Sequence, residues 1–307
     1  MAGNHDHNHS HGHSHSHSVN ADDLTSKVFL IGILLNLSFV IVEIVAGLIY
    51  NSIALLTDAG HNAGDVASLL LSLLAIRLAK RKSNKIFTYG YKKTTILAAF
   101  INAVILLIAI GVLGYESISR LKNSEAVKGD AIAWVAGLGI IINAVSAWLF
   151  FKNKKNDINI KGAYLHLLSD AMVSAGVVIT GIIIIYTKWY WLDPVVGLLI
   201  MIVILFSTWG LLRDSFRMAV DAVPSGMDIN EIKNVILQTK DVTNVDHVHI
   251  WPLSTTENAL TAHVTMDEQL SFEQKLKVVQ QVKHELLHHN IHHSTIEMDG
   301  TKSASNC

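Results

Sequence analysis

Between residues 28 and 212 the chain is filled with apolar runs, each long enough to cross a bilayer, separated by short polar breaks. The hydrocarbon core of a membrane takes about 20 consecutive apolar residues per spanning helix. Only 16% of the residues are charged, whereas a soluble domain carries about 25%, and the deficit falls on this region. The chain is expected to be an integral membrane protein with six transmembrane helices, at 28–50, 53–79, 94–118, 130–151, 162–186 and 191–212.

The remainder divides into three parts. Residues 1–26 form a low-complexity tail with histidine at every second position from His5 to His17. It has nothing apolar to bury and is expected to be a disordered cytoplasmic tail that gathers metal loosely. Residues 27–214 are the transmembrane domain, and 215–226, ending in Pro224-Ser225-Gly226, read as a linker. Residues 227–307 have soluble composition and predict helix, strand, strand, helix, strand. Asp228 caps the first helix, which runs to about Lys240; strands follow at 242–251 and 259–266. Ser271 opens the second helix with Glu273 or Gln274 closing the cap, and the last strand covers 295–298. Such a unit is a small two-layer α+β domain.

Lysine and arginine set the orientation. The connection between spans 2 and 3 carries Lys80, Arg81, Lys82, Lys85, Lys92 and Lys93; that between spans 4 and 5 carries Lys152, Lys154, Lys155 and Lys161. The other connections are poorer, so both termini are expected in the cytoplasm. No signal peptide is visible. The only cysteine, Cys307, excludes an intrachain disulfide and a cysteine-rich metal centre.

Charged groups at the centre of a span cost roughly 2.5–3.5 kcal/mol each. Glu43, Asp58, Asp65 and Asp170 must therefore face the bundle interior. In span 2, Asp58, His61 and Asp65 stand at i, i+3 and i+7 on one helix face. Span 5 repeats the His-x-x-x-Asp pair as His166 and Asp170. Two such pairs on facing helices supply two imidazole nitrogens and two carboxylate oxygens, a set suited to tetrahedral zinc. The absence of cysteine from the spans argues against copper(I), and the nitrogen ligands argue against calcium or magnesium. Zinc stands first, with cobalt, cadmium, nickel or iron behind it. Asn36 and Glu43, with Asn102 and Asn143, read as bundle glue or a water path.

The run from Ser52 to Asp65, the stretch Phe87-Thr88-Tyr89-Gly90-Tyr91-Lys92-Lys93 and residues Asn159 to Asp170 resemble the cation diffusion facilitator family, and within it the CzcD-type zinc, cadmium and cobalt exporters. The resemblance implies a homodimer that exchanges metal for protons, with a ferredoxin-like cytoplasmic domain. It places the transport site on His61, Asp65, His166 and Asp170. It implies that His249, His263, His292 and Asp299 bind metal at the cytoplasmic dimer interface, with zinc as substrate and regulatory ligand; Asp246 sits where some relatives place another ligand. Lys93 and Asp221 match an inter-subunit charge interlock of some relatives. Many relatives have Ala-Glu after this lysine, whereas Thr94-Thr95 stands here.

The sequence therefore predicts a proton-coupled antiporter in the bacterial cytoplasmic membrane. The rivals are a passive metal channel or a membrane metal sensor, and a membrane metalloenzyme. An intramembrane protease would want His-Glu-x-x-His or an open coordination position with a separate general base, and neither is present. A channel would need repeated weak sites rather than one cage. No phosphate-binding Gly-x-x-x-x-Gly-Lys loop is present to use ATP.

Overall fold

The computed structural model describes residues 27–123, 125–151 and 158–300, with side chains from 34 onward except 147–167. The histidine-rich tail and Lys152, Lys154 and Lys155 lie outside the described residues.

Six long helices follow one another: α1 (Lys27–Ile49), α2 (Ile53–Ala79), α3 (Thr94–Lys122), α4 (Gly129–Phe151), α5 (Ile158–Thr187) and α6 (Leu192–Ala219). α2, α3, α6 and the Gly129–Ser146 and Leu168–Thr187 parts of α4 and α5 are long and apolar enough to cross a membrane; Leu34–Ile49 of α1 is shorter. Across all its 23 residues, α1 rises about 34 Å, enough to span.

Burial runs opposite to that of a soluble protein. Leu48, Trp134, Phe206 and Tyr186 are exposed, while Glu43, Asp58, Asn102, Asn143, Ser174 and Asp193 are buried. Lipid takes the apolar side chains, so the polar ones turn inward, toward the other helices.

Three helices run past the predicted spans, α5 by starting at Ile158 instead of 162. α3 continues to Lys122 and α6 to Ala219, so residues 215–219, read as the start of a linker, are helical. Charges such as Arg213, Asp214 and Arg217 mark where lipid ends, not where a helix must stop.

α4 and α5 pack face to face because two glycines let their backbones touch. A Cβ on Gly181 would meet Gly129 O at 2.7 Å and Ala133 N at 2.8 Å. α3 pairs with α6, and α2 touches α1, α3, α5 and α6. Away from the soluble domain, Ala54, Leu55, Val127, Ile132, Val177, Ile184, Ile200 and Ile204 close into one apolar cluster.

The soluble domain is α7 (Ile229–Leu237), β1 (Val242–Pro252), β2 (Asn258–Met266), α8 (Phe272–His288) and β3 (Ile291–Asp299). Asp228 caps α7, and Ser271 with Gln274 forms a reciprocal capping box on α8. β1 and β2 pair antiparallel, and β3 returns parallel to β2. β3 begins four residues before the predicted strand because His292 and His293 carry no apolar alternation; both are exposed. Inward-facing Leu260, Ala262 and Val264 of β2 pack on Ile232, Ile236, Val282 and Leu286 from the two helices. This is a two-layer α+β domain, as the predicted order of helices and strands implies.

The two halves of the chain meet at the α2–α3 loop. Lys92 Nζ lies 2.5 Å from Glu257 Oε2, the Thr255 amide donates to Thr95 Oγ1 at 3.1 Å, and Tyr89 stands edge-on to His293.

Candidate metal centre

Ser52 caps α2 through the Leu55 amide, and the helix then carries His61 and Asp65 on successive turns. α5 brings Asp170 against them. One ligand atom from each of these three residues lies within 4.8 Å of the other two. His61 Nε2 is 3.4 Å from Asp170 Oδ1 and 3.8 Å from Asp65 Oδ2. Ligands about 2.1 Å from a tetrahedral zinc stand about 3.4 Å from one another. The three are thus spaced as the corners of a metal polyhedron. His166 occupies the preceding turn of α5, and its side chain lies outside the described residues.

Exposure rises along α2, from Asp58, which is fully buried, through the His61 side chain at 18% to that of Asp65 at 35%. Exposure of these side chains thus grows toward the α2–α3 loop, the side that carries the soluble domain.

Asp58 shares the predicted helix face but does not join the three ligands. Its Oδ2 accepts from Ser174 of α5 at 3.1 Å. Glu43 of α1 accepts from Asn62 at 3.0 Å, so α1 is tied to α2 just beside the ligands. Glu43 and Asp58 also face each other as a carboxyl–carboxyl pair, so one proton shared between them can serve both. Asn62 and Ser174 carried no signal in the sequence, since an isolated small polar residue in a span is common.

In the soluble domain the fold brings His263 and Asp299 together. His263 Nδ1 is 3.1 Å from Asp299 Oδ2, and its Nε2 is 3.5 Å from Glu297 Oε2. Glu297 was not anticipated. It is the direct partner of His263 in the parallel β2–β3 register, with Asp299 two pairs further on, on the same face of the sheet. His247 was not anticipated either. An irregularity in β1 between Asp246 and His249 leaves its ring 4.9 Å from that of His263. His249 pairs instead with Thr261, and His292 sits beside the Asn290 carbonyl. Neither belongs to the His263 group. Asp246 accepts from Asn244 and faces Lys233.

Lys93 Nζ lies 2.7 Å from Asp221 Oδ1 within the same chain, so this pair needs no second subunit to form. At the position where many relatives have glutamate, Thr95 instead receives the soluble domain's Thr255 amide.

A helical bundle that buries carboxylates and imidazole at membrane depth, joined to a small mixed-sheet domain, defines a metal-handling integral membrane protein. Residues 29–218 match the family model for the cation efflux transmembrane domain, and residues 224–301 match that for the cation efflux protein cytoplasmic domain. The chain belongs to the cation efflux family of secondary transporters. It is 36% identical over 276 residues to the cadmium, cobalt and zinc/H(+)-K(+) antiporter of Bacillus subtilis, covering 89% of this chain and 88% of the relative. It is 34% identical to the zinc transporter ZitB of Escherichia coli, over 85% of this chain and 83% of that one. The cation efflux system protein CzcD of an Alcaligenes species is 36% identical over 88% and 85% of the two chains.

Proposed function

We propose that this protein exports divalent transition metal from the cytosol in exchange for protons, zinc first and cadmium or cobalt after it. The observation that carries the reading is the 3.4 Å approach of His61 Nε2 to Asp170 Oδ1 across two helices at membrane depth. Nitrogen and oxygen ligands at that separation favour a borderline ion over calcium or magnesium. The names of the relatives support the same cargo and the same proton exchange.

His61, Asp65 and Asp170, completed by His166, form the transport site in this reading. A ligating imidazole must be neutral and a ligating carboxylate ionised, so metal and protons compete for the same atoms. Metal enters past Asp65 from the soluble-domain side, and protons arriving from the opposite side displace it. Because α2 and α5 each bring part of the set, a shift of one against the other both loosens the cage and changes its access.

The protein works as a homodimer in a bacterial cytoplasmic membrane, with both termini in the cytoplasm. His263, Glu297 and Asp299 form a regulatory metal site in which Asp299 orients the ring through Nδ1 and leaves Nε2 to the ion. His249 and His292, apart within one chain, reach metal only across the dimer. The histidine tail gathers cargo at the entrance.

The test is zinc flux in reconstituted vesicles against an imposed pH gradient. Inside-acid vesicles should accumulate zinc and collapse the gradient as they do so. Zinc movement indifferent to the gradient would identify a channel, and zinc binding without movement a sensor.

A further inference from the structure

The turn between α1 and α2 is gripped from two other helices. Asp193, in the first turn of α6, is fully buried. Its Oδ1 accepts from Ser52 Oγ at 2.5 Å, and its Oδ2 accepts from the backbone amides of Ile53 at 2.6 Å and Ala54 at 3.4 Å. The first amides of a helix have no partner inside it. Ser52 already serves one, at Leu55; Asp193 serves the two before it, as a second cap supplied by another helix. Its carboxylate also sits at the positive end of the α2 dipole. From α3, Arg120 Nη1 donates to the Asn51 carbonyl at 2.5 Å, and its Nε is held by Glu116.

Both grips come from the α3–α6 pair, and both close on the end of the ligand-bearing helix that lies away from the soluble domain. Beneath them α6 lies flush on α2: a Cβ on Gly197 would meet Ile53 Cγ2 at 2.8 Å and Thr57 Oγ1 at 3.4 Å. Ile53, Ala54 and Leu55 have no exposed surface, and Thr57 has 1%. At 1.5 Å per residue, roughly 12 Å of this sealed packing separates Ile53 from His61. Exposure of the ligands rises on the other side, from His61 to Asp65.

We propose that Asp193 is the outer lock of the transport path, a positioning residue that pins the start of α2 to α6 and shuts the metal centre off from the face opposite the soluble domain. Cargo leaving on that face must part the α2–α6 seam, and it cannot part while one carboxylate holds a hydroxyl and two amides across it. Asparagine has the same shape but loses the charge and one acceptor oxygen, so Asp193→Asn weakens the lock without adding bulk. The idea rests on the exporter reading for its purpose but not for its measurement.

The test reads accessibility. In full-length protein in intact cells, with Cys307→Ser removing the native thiol, Thr57→Cys places a thiol in the seam and Ala75→Cys a buried control at the other end of α2. A charged, membrane-impermeant thiosulfonate is applied from outside. Asp193→Asn should raise the reaction rate of the thiol at 57 about tenfold, the effect of weakening the lock by about 1.4 kcal/mol, and leave that at 75 unchanged. Ser52→Ala, which removes one of the three bonds, should give a smaller rise, and it carries the test if Asp193→Asn does not accumulate. An unchanged rate at 57, or equal rises at 57 and 75, would overturn the proposal, the latter by showing only general loosening. Failure of zinc to move in vesicles of the parent protein would sink the exporter reading and leave the labelling result intact.

Discussion

His61 and Asp170 stand 3.4 Å apart, ligand atom to ligand atom, although more than a hundred residues of chain separate them. Nothing but a shared ion or proton makes that approach favourable inside a bilayer, where each group alone would be costly. Asp170→Asn keeps the shape and removes the charge. Zinc affinity of the purified full-length protein should fall by about 100-fold or more, about 2.7 kcal/mol, with the helical circular dichroism unchanged. Equal affinity by calorimetry would remove Asp170 from the site.

Replacing nitrogen by oxygen should change the preference rather than abolish binding. His61→Asp hardens the set, so manganese(II) should gain on zinc. Competition binding with the two ions checks this; an unaltered ratio would show that His61 does not touch the cargo.

How much of this could be read from the residues alone depended on the distance over which each signal acts. The His-x-x-x-Asp pairs were legible because four residues bring a helix back to the same face, and the burial of Glu43, Asp58 and Asp170 followed from the cost of charge in lipid. Glu297 was not, since only the parallel register of β2 and β3 sets it beside His263. Asp193 carries no such local signal; its part depends on which helix N-terminus lies against it. The ends of α3 and α6 were misjudged because charge reports the edge of the membrane, and a helix continues through it.

The close approach of α4 and α5 should be as necessary to the centre as its ligands. Gly181→Val would drive a side chain into Gly129 O and Ala133 N, forcing apart the helix that holds Asp170 and its neighbour. A loss of about 1–3 kcal/mol of stability is expected for such overpacking, together with weaker zinc binding. Gly176→Ala, on the same helix with no atom within 4 Å of the added carbon, should retain both. Thermal denaturation in detergent and zinc calorimetry compare the two.

Metal at the soluble domain is separable from metal at the membrane centre. His263→Ala and Glu297→Gln should each reduce the zinc bound per full-length chain and leave the membrane centre loaded. His288→Ala, at the end of α8 on the domain's surface, should bind as the parent does. Stoichiometry by elemental analysis after gel filtration decides; unchanged zinc content in the first two would show that the cluster on the sheet holds none.

The joint between soluble domain and bundle contains two ion pairs of different worth. Lys92 and Glu257 are each about one-third exposed, at 35% and 33%, and a hydrogen bond from the Thr255 amide to the Thr95 hydroxyl stands beside them. Lys93 and Asp221, at 46% and 51%, are more open to water. Exposed pairs contribute about 0–1 kcal/mol and are screened by salt. The coupling energy in a double-mutant cycle should therefore be larger for Lys92 with Glu257, about 0.5–1 kcal/mol, and should survive high salt better. Lys92→Glu sets two carboxylates face to face and should speed amide exchange across residues 254–257; adding Glu257→Lys restores opposite charges and should slow it again. If the reversed pair exchanged as fast as the single variant, the contact would be incidental, and the Thr255–Thr95 bond alone would have to hold the hairpin against α3.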